Sequence, residues 1–247
     1  MLLEAACHLS HGEDMTSSAS AIVGEKTAVI FDLFHTLVSL RAAWGDRLPK
    51  AHEILGVSRE AWVGQLGGRL HDLYVGKYQD AFEAVSEMAR AIDPVIPDEA
   101  IRKAVESITE TFAGALVRVP AETREVLERL KGRGKRLGLV SNASVLEIAA
   151  WDRSPIAPLF DSALFSCFTG CVKPDRKIYE MSMDALGVTP EQCVFVGDGG
   201  SEELEGARDL GICAIMVAGM IRDVWPDKIE ERRQQADLMI EHLLELT

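Results

Sequence analysis

The chain is short of positive charge, with 26 Lys and Arg against 39 Asp and Glu among 247 residues, a formal charge of −13. Nucleic acids and anionic bilayers are themselves negative, so this balance excludes them as partners and leaves a small anion met by a few local cations. Long apolar runs are also missing. No stretch approaches ~18 uninterrupted apolar residues, and the opening MLLEAACHLSHGEDM has neither a basic leader nor a long apolar core. Neither a membrane span nor a secretory leader is therefore expected, and the protein is placed in the cytoplasm. Cysteine is scarce and odd in number. Cys7, Cys167, Cys171, Cys193 and Cys213 are irregularly spaced, which fits reduced thiols rather than a disulfide framework, and Cys167 with Cys171 alone makes a poor zinc site. Internal repeats and low-complexity tracts are absent.

What is present suffices for a sizeable core: 47% of the residues are hydrophobic, enough for one large domain or a domain carrying an inserted smaller one. Residues 1–25 show no sustained periodicity and are expected to be a flexible extension, with Met15 as an alternative start. A short apolar strand then ends at Asp32. From residue 41 to residue 117 every periodic segment has helical spacing, with a break marked by Pro94 and Pro97 and a weak point at Gly67-Gly68 in the long middle segment. After Pro120 helices and strands alternate, the pattern of a parallel sheet covered by helices. The expected fold is α/β: a Rossmann-like core from residues 26–40 and 118–247, interrupted by an all-helical segment at 41–117.

In such a sheet the loops at the carboxyl ends of the strands converge on one crevice, so polar residues just after separate strands can meet there. Four groups stand in such places: Asp32 after AVIF, Ser141 and Asn142 after LGLV, Lys173 in GCVKPD, and Asp198 after CVFVG. Together they supply a nucleophilic carboxylate, a hydroxyl and an amide for phosphoryl oxygens, a cation, and a second carboxylate able to hold Mg²⁺.

FDLFHTLV, LGLVSNAS, GCVKPDRKIYE and VFVGDGGSEELEGA resemble, in order and spacing, the four motifs of the haloacid dehalogenase superfamily. The resemblance covers roughly Thr27 to Ala218. It implies a hydrolase of the branch with a helical cap inserted after the first core strand. It also implies Asp32 as nucleophile, Thr36 and Ser141 as binders of the transferring group, and Lys173 as the charge-neutralising amine. Magnesium would be held by Asp32, the backbone carbonyl of Phe34 and Asp198, with Glu202 or Glu203 in support and Glu203 preferred. The substrate would be a small phosphorylated metabolite, and the protein a monomer or homodimer.

Phe34 departs from the pattern. The superfamily's phosphatases place there an aspartate that protonates the leaving oxygen; phenylalanine keeps the backbone carbonyl and loses the acid. An aromatic residue at this position resembles the haloacid dehalogenases, which need no metal, whereas the acidic GDGGSEE stretch resembles the phosphatases. Magnesium-dependent phosphoryl hydrolysis with a good leaving group is the leading reading; dehalogenation, phosphonate C–P cleavage and a catalytically silent binding role stay open beside it.

Each candidate also has a structural reading. Asp32 and Asp198 suit turns, Ser141-Asn142 a helix start, Lys173 a solvated loop, and Glu202 and Glu203 the first turn of a helix. His35 is a candidate for the missing acid. Arg47, Arg69, Lys77 and Arg90 are candidate anion binders on the helical segment, and Lys50 or Lys77 a candidate Schiff-base lysine. The other histidines, His8, His11, His52, His71 and His242, lack metal-ligand spacing. Trp44, Trp62, Tyr74, Tyr78 and Phe82 read as packing residues.

Overall fold

In the computed structural model, which describes residues 15–40 and 50–247, the run Ala28-Val29-Ile30-Phe31 is strand β1, with every residue buried. Its alternate side chains serve opposite faces: Val29 and Phe31 enter one apolar core, Ala28 and Ile30 the other. A strand covered on both faces has no room for polar residues, which is why AVIF lacks the polar alternation of a half-exposed strand. Five further strands join it: β2 (Arg136–Ser141), β3 (Ser162–Phe165), β4 (Cys193–Gly197), β5 (Cys213–Val217) and β6 (Leu238–Ile240). Their order is β3-β2-β1-β4-β5-β6, and each neighbouring pair is parallel.

The described helices are α1 (Met15–Glu25), α2 (Ala51–Leu55), α3 (Arg59–Tyr74), α4 (Ala81–Ile92), α5 (Asp98–Val117), α6 (Ala121–Gly132), α7 (Val145–Ile148), α8 (Ser166–Thr169), α9 (Arg176–Leu186), α10 (Glu203–Arg208) and α11 (Ile229–Arg233). On one face of the sheet Ala19 and Val23 of α1 and Val126, Leu127 and Leu130 of α6 cover Val29 and Phe31. On the other, Ile178, Tyr179 and Met183 of α9 and Leu204 and Ala207 of α10 cover Ala28 and Ile30. Complete burial of one such aliphatic or aromatic side chain contributes roughly 1.5–3 kcal/mol.

Helices α2 to α5 lie between β1 and β2 in the chain and close a core of their own, in which Trp62, Tyr78, Val85, Met88 and Ile101 are buried. The long middle segment expected there is two helices. Its break falls at Gly76, while Gly67 and Gly68 stay inside α3. Gly76 has φ +75°, and a Cβ on it would stand 2.0 Å from the carbonyl oxygen of Cys167; only glycine fits that turn. Asp80 then caps α4, accepting a bond from the Glu83 amide at 3.0 Å.

The flexible extension expected over residues 1–25 is corrected in its second part. Met15–Glu25 is helical, and Ala19, Ile22 and Val23 pack one short stripe onto the core. Three apolar contacts at i, i+3 and i+4 are too few to give a visible period in a small-residue segment. Residues 1–14, with Cys7, His8 and His11, and residues 41–49, with Trp44 and Arg47, lie outside the described residues. Cys167, Cys171 and Cys193 are free thiols. Burial pushes the thiols of Cys167 and Cys193 up to about 11, so both stay protonated at neutral pH. Among the described residues no helix is long and apolar enough to cross a membrane.

Candidate active site

Strand β1 pairs with β2 on one side and β4 on the other, so the loops beyond its carboxyl end part there and leave a crevice. The Asp32 amide donates to the Val196 carbonyl at 2.9 Å, which ties the residue after β1 to the end of β4. Asp198 follows β4 and Ser141 ends β2, so the ladder itself brings the three together. They line a cleft of about 340 Å³ with Asn142, Lys173 and Glu203.

Lys173 is the hub of this cluster. Its ammonium is 2.5 Å from Asp32 Oδ1 and also bonds Glu203 Oε2, with all three side chains nearly or fully buried. Burial alone would lower the lysine pKa, but the Asp32 and Glu203 carboxylates raise it above its ordinary value, so it remains an ammonium. Burial raises the pKa of Asp32, against the pull of Lys173. Burial, then the charge of Asp32, raises that of Glu203.

Asp32, Asp198 and Glu203 present carboxylate oxygens that all lie within 4.8 Å of one another, and all three residues are buried. An all-oxygen anionic set of this kind suits a hard divalent cation. Three carboxylates here face two cations, Lys173 and Arg232, which leaves an excess negative charge for a metal ion to offset. Of the two glutamates weighed, Glu203 is the buried member and Glu202 is exposed. Gly197 makes room for it, since a Cβ there would come 2.1 Å from Glu203 Oε1. The loop turns sharply, with Ser201 and Glu202 both left-handed at φ +56° and +53°. Strained backbone of this kind persists where the surroundings hold it in place.

Several residues take other positions than their motifs suggested. Asn142 was expected to bind phosphoryl oxygens, but its amide serves Lys173: Oδ1 accepts from the Lys173 amide at 2.7 Å and Nδ2 donates to the Lys173 carbonyl at 3.0 Å. It positions the lysine loop. Thr36 is fully buried and does not line the cleft, and its Oγ1 has no hydrogen-bond partner. The Ser141 hydroxyl, also without a partner, is on the cleft wall. An unpaired buried hydroxyl is costly unless something polar meets it, so Ser141 Oγ suits an oxygen-rich ligand.

Phe34 stands beside Asp32 and packs edge-on against Phe112 of α5, with ring centroids 5.7 Å apart. With Leu40 and Tyr74 they make the apolar part of the wall. His35 lies on the same wall in the left-handed region at φ +64°, a conformation more usual for glycine or asparagine. Burial lowers its pKa, with the Asp198 and Asp32 charges opposing, so the imidazole is neutral at physiological pH.

The described cations proposed on the helical segment, Lys50, Arg69, Lys77 and Arg90, do not line the cleft. Arg69 pairs with Glu87 at 3.3 Å, Lys77 with Asp72 at 2.8 Å, Lys50 with Glu53 at 3.0 Å, and Arg90 with Asp98. Arg69 and Arg90 border a larger open hollow of about 570 Å³ on that segment, which, among the described residues, holds no acidic cluster able to bind a metal. We therefore place the chemistry in the smaller cleft. Among the described residues Tyr74 is the one expected packing aromatic that also faces it.

Sequence reading missed Arg232 and Trp225. Arg232, on α11, sits 2.5 Å from Asp198 Oδ2, and its guanidinium stacks 5.1 Å from the Trp225 ring centroid. Trp225 in turn meets His35 edge-on at 4.7 Å. No motif marks these residues; only the tertiary fold brings 225 and 232 back to the site.

Residues 26–211 match the haloacid dehalogenase-like hydrolase family. A phosphatase from Mycobacterium tuberculosis is 29% identical over 205 residues, covering 80% of this chain and 90% of that protein. A glyceraldehyde 3-phosphate phosphatase from Methanothermobacter thermautotrophicus is 33% identical over 120 residues, 47% of this chain; the match spans about half of that relative, 52% of its length. A dehalogenase crystal structure superposes with a TM-score of 0.60 at 23% identity, covering 90% of this chain and 95% of that one, a likeness of fold.

Proposed function

Because this chain belongs to the haloacid dehalogenase-like hydrolases, we propose that it is a magnesium-dependent hydrolase of small phosphorylated metabolites whose leaving groups depart readily. The observation that carries this reading is the buried set Asp32, Asp198 and Glu203, with Lys173 bridging two of its members. The phosphatase activity of the two relatives supports it. Residues 26–40 and 118–247 are the catalytic core in this reading, and 41–117 are the cap that shapes substrate choice. A cytoplasmic setting goes with it, supported by the free thiols of Cys167, Cys171 and Cys193.

Asp32, with the main-chain carbonyl of Phe34 and with Asp198, would hold the magnesium, Glu203 supporting. Bound there, the ion neutralises phosphate charge and lets carboxylates and a phosphate dianion share one cleft. The chain supplies the rest. Asp32 attacks phosphorus with the carboxylate oxygen that Lys173 does not occupy, and the alcohol or acid oxygen leaves with its bonding pair. Lys173 keeps Asp32 ionised against the pull of burial, and Ser141 Oγ donates to a phosphoryl oxygen. Water then cleaves the aspartyl phosphate and returns the carboxylate.

The two residues that follow Asp32 most closely in the cleft supply no acid to the leaving oxygen: Phe34 is apolar, and His35 is neutral. Acyl, aryl and anhydride oxygens, which leave without a proton, are therefore the preferred leaving groups, and the Phe34, Leu40, Tyr74 and Phe112 wall suits an apolar one. The test is a panel of acyl, aryl and alkyl phosphates, phosphonates and 2-haloacids, each with Mg²⁺ and with chelator, on wild type and Asp32→Asn. Magnesium-dependent release of phosphate by wild type alone is expected. A second reading, metal-independent dehalogenation, is favoured by the Arg232–Asp198 pair, and halide release that persists in chelator would establish it instead.

A further inference from the structure

Both oxygens of the Asp198 carboxylate already have partners in the protein. Oδ1 accepts from the Gly200 amide at 3.0 Å, and Oδ2 faces Arg232 Nη1 at 2.5 Å; the same nitrogen also donates to the Asp198 carbonyl at 3.2 Å. The Arg232 side chain is 15% exposed and that of Asp198 7%. A guanidinium so placed is held by more than one contact, because its planar face also rests on Trp225.

The loop after β4 is shaped around this arginine. Gly199 has φ +82°, and a Cβ built on it would stand 2.8 Å from Arg232 Cβ and 3.2 Å from its Cδ. The arginine stem therefore passes where any other residue's side chain would begin. Asp32 and Glu203 share Lys173, so each carboxylate of the cluster touches a protein cation, though two cations serve three carboxylates.

We propose that Arg232 is a built-in competitor of the divalent cation: it occupies the Asp198 oxygen that the ion needs, must swing off that oxygen when the ion binds, and so sets the metal affinity of the site. The inference rests on reading Asp32, Asp198 and Glu203 as a magnesium site. Its physical basis is that a divalent ion on Asp198 Oδ2 would meet the guanidinium nitrogen that stands 2.5 Å from the same oxygen, and that two cations repel at such separations. Release of Arg232 also frees its stack on Trp225, so metal binding is coupled to the 225–232 segment.

The experiment is calorimetric titration with MgCl₂ alone, without substrate, on wild type, Arg232→Gln and Arg232→Lys, each first checked for a wild-type-like cooperative melt. Arg232→Gln should bind Mg²⁺ roughly 10- to 100-fold more tightly than wild type, the range that loss of one charge-assisted hydrogen bond corresponds to. Arg232→Lys, which keeps the charge and loses the planar stack, should fall between. Trp225→Leu removes the shelf and leaves Asp198 intact; it should tighten binding in the same direction and serves if Arg232→Gln fails to fold. Equal or weaker binding in the folded arginine or tryptophan variants, with measurable binding by wild type, would overturn the competition and leave the magnesium site standing. Absence of binding in every variant would overturn both.

Discussion

Replacement of Lys173 by methionine tests the centre of the site most directly. The change removes a buried ammonium that lies 2.5 Å from Asp32 Oδ1 and also bonds Glu203, while methionine fills much of the same volume. Two buried carboxyls are then left facing each other and Asp198. Breaking a buried ion pair from one side costs about 3–5 kcal/mol. At roughly 2–4 °C per kcal/mol for a chain of this size, the melting midpoint at pH 7 should fall by about 6–20 °C.

The sign with pH follows from linkage. Lys173 has a raised pKa in the folded protein, so its own contribution is complete below the ordinary lysine value and does not change between pH 4 and 8. Asp32 and Glu203 already have raised values, and loss of the ammonium raises them further. The folded variant therefore takes up protons before the unfolded chain does. Its deficit is greatest at neutral pH and shrinks as pH falls toward about 4, where the unfolded carboxyls also protonate. Urea melts at pH 4.5, 6 and 7.5 read this out. A deficit below about 1 kcal/mol at neutral pH, or one that stays constant with acidification, would refute the picture of Lys173 as the buried counter-charge. Adding Asp32→Asn and Glu203→Gln to the methionine variant should restore much of the loss, since no unpaired charge is then buried.

Two more substitutions probe the cleft wall and its support. Phe34→Asp should raise turnover of alkyl phosphates far more than that of aryl or acyl phosphates, with roughly 10²–10⁴-fold as the upper bound for a positioned acid; an unchanged alkyl-to-aryl ratio in a folded variant would show that Phe34 does not set leaving-group preference. Glu147, partly buried on the cleft wall, accepts from the amide and hydroxyl of Ser144, both at 2.7 Å, and desolvation raises its pKa. A raised carboxyl pKa destabilises the fold progressively above the unfolded value, so Glu147→Gln should melt higher than wild type at pH 7.5 and lose that advantage near pH 4. Thermal melts across that range check it.

The parallel, helix-covered sheet and the convergence of Asp32, Ser141, Lys173, Asp198 and Glu203 were readable because each follows, or lies just beyond, an apolar run too short to be anything but a buried strand. Burial on both faces leaves such runs no polar residue until the chain emerges, so the first polar side chain marks the exit. Roles within the cleft were less legible. Asn142 and Thr36 sit in the right motifs, yet one holds the Lys173 main chain and the other is buried away from the cleft. Hydrogen-bond direction and depth of this kind are set by neighbours distant in sequence. Arg232 reaches Asp198 across 34 positions from a five-residue helix, and β6 is three residues long. Neither gives a periodic signal. At Gly76 the Cys167 carbonyl comes so close that only glycine fits the turn after the helix, and local propensity, which pointed to Gly67-Gly68, has no view of that long-range approach.

The helices between β1 and β2 bury Trp62, Tyr78 and Met88 in a core that shares little with the two cores of the sheet. Their cohesion and that of the sheet are then separate quantities with separate thresholds. A cavity opened at Met88 would loosen the roof that carries Tyr74 and Phe112 while the floor with Asp32 and Lys173 kept its order. Such a protein would lose discrimination before reactivity. Lineages could in turn exchange one roof for another, and try new substrates, without first dismantling the chemistry beneath.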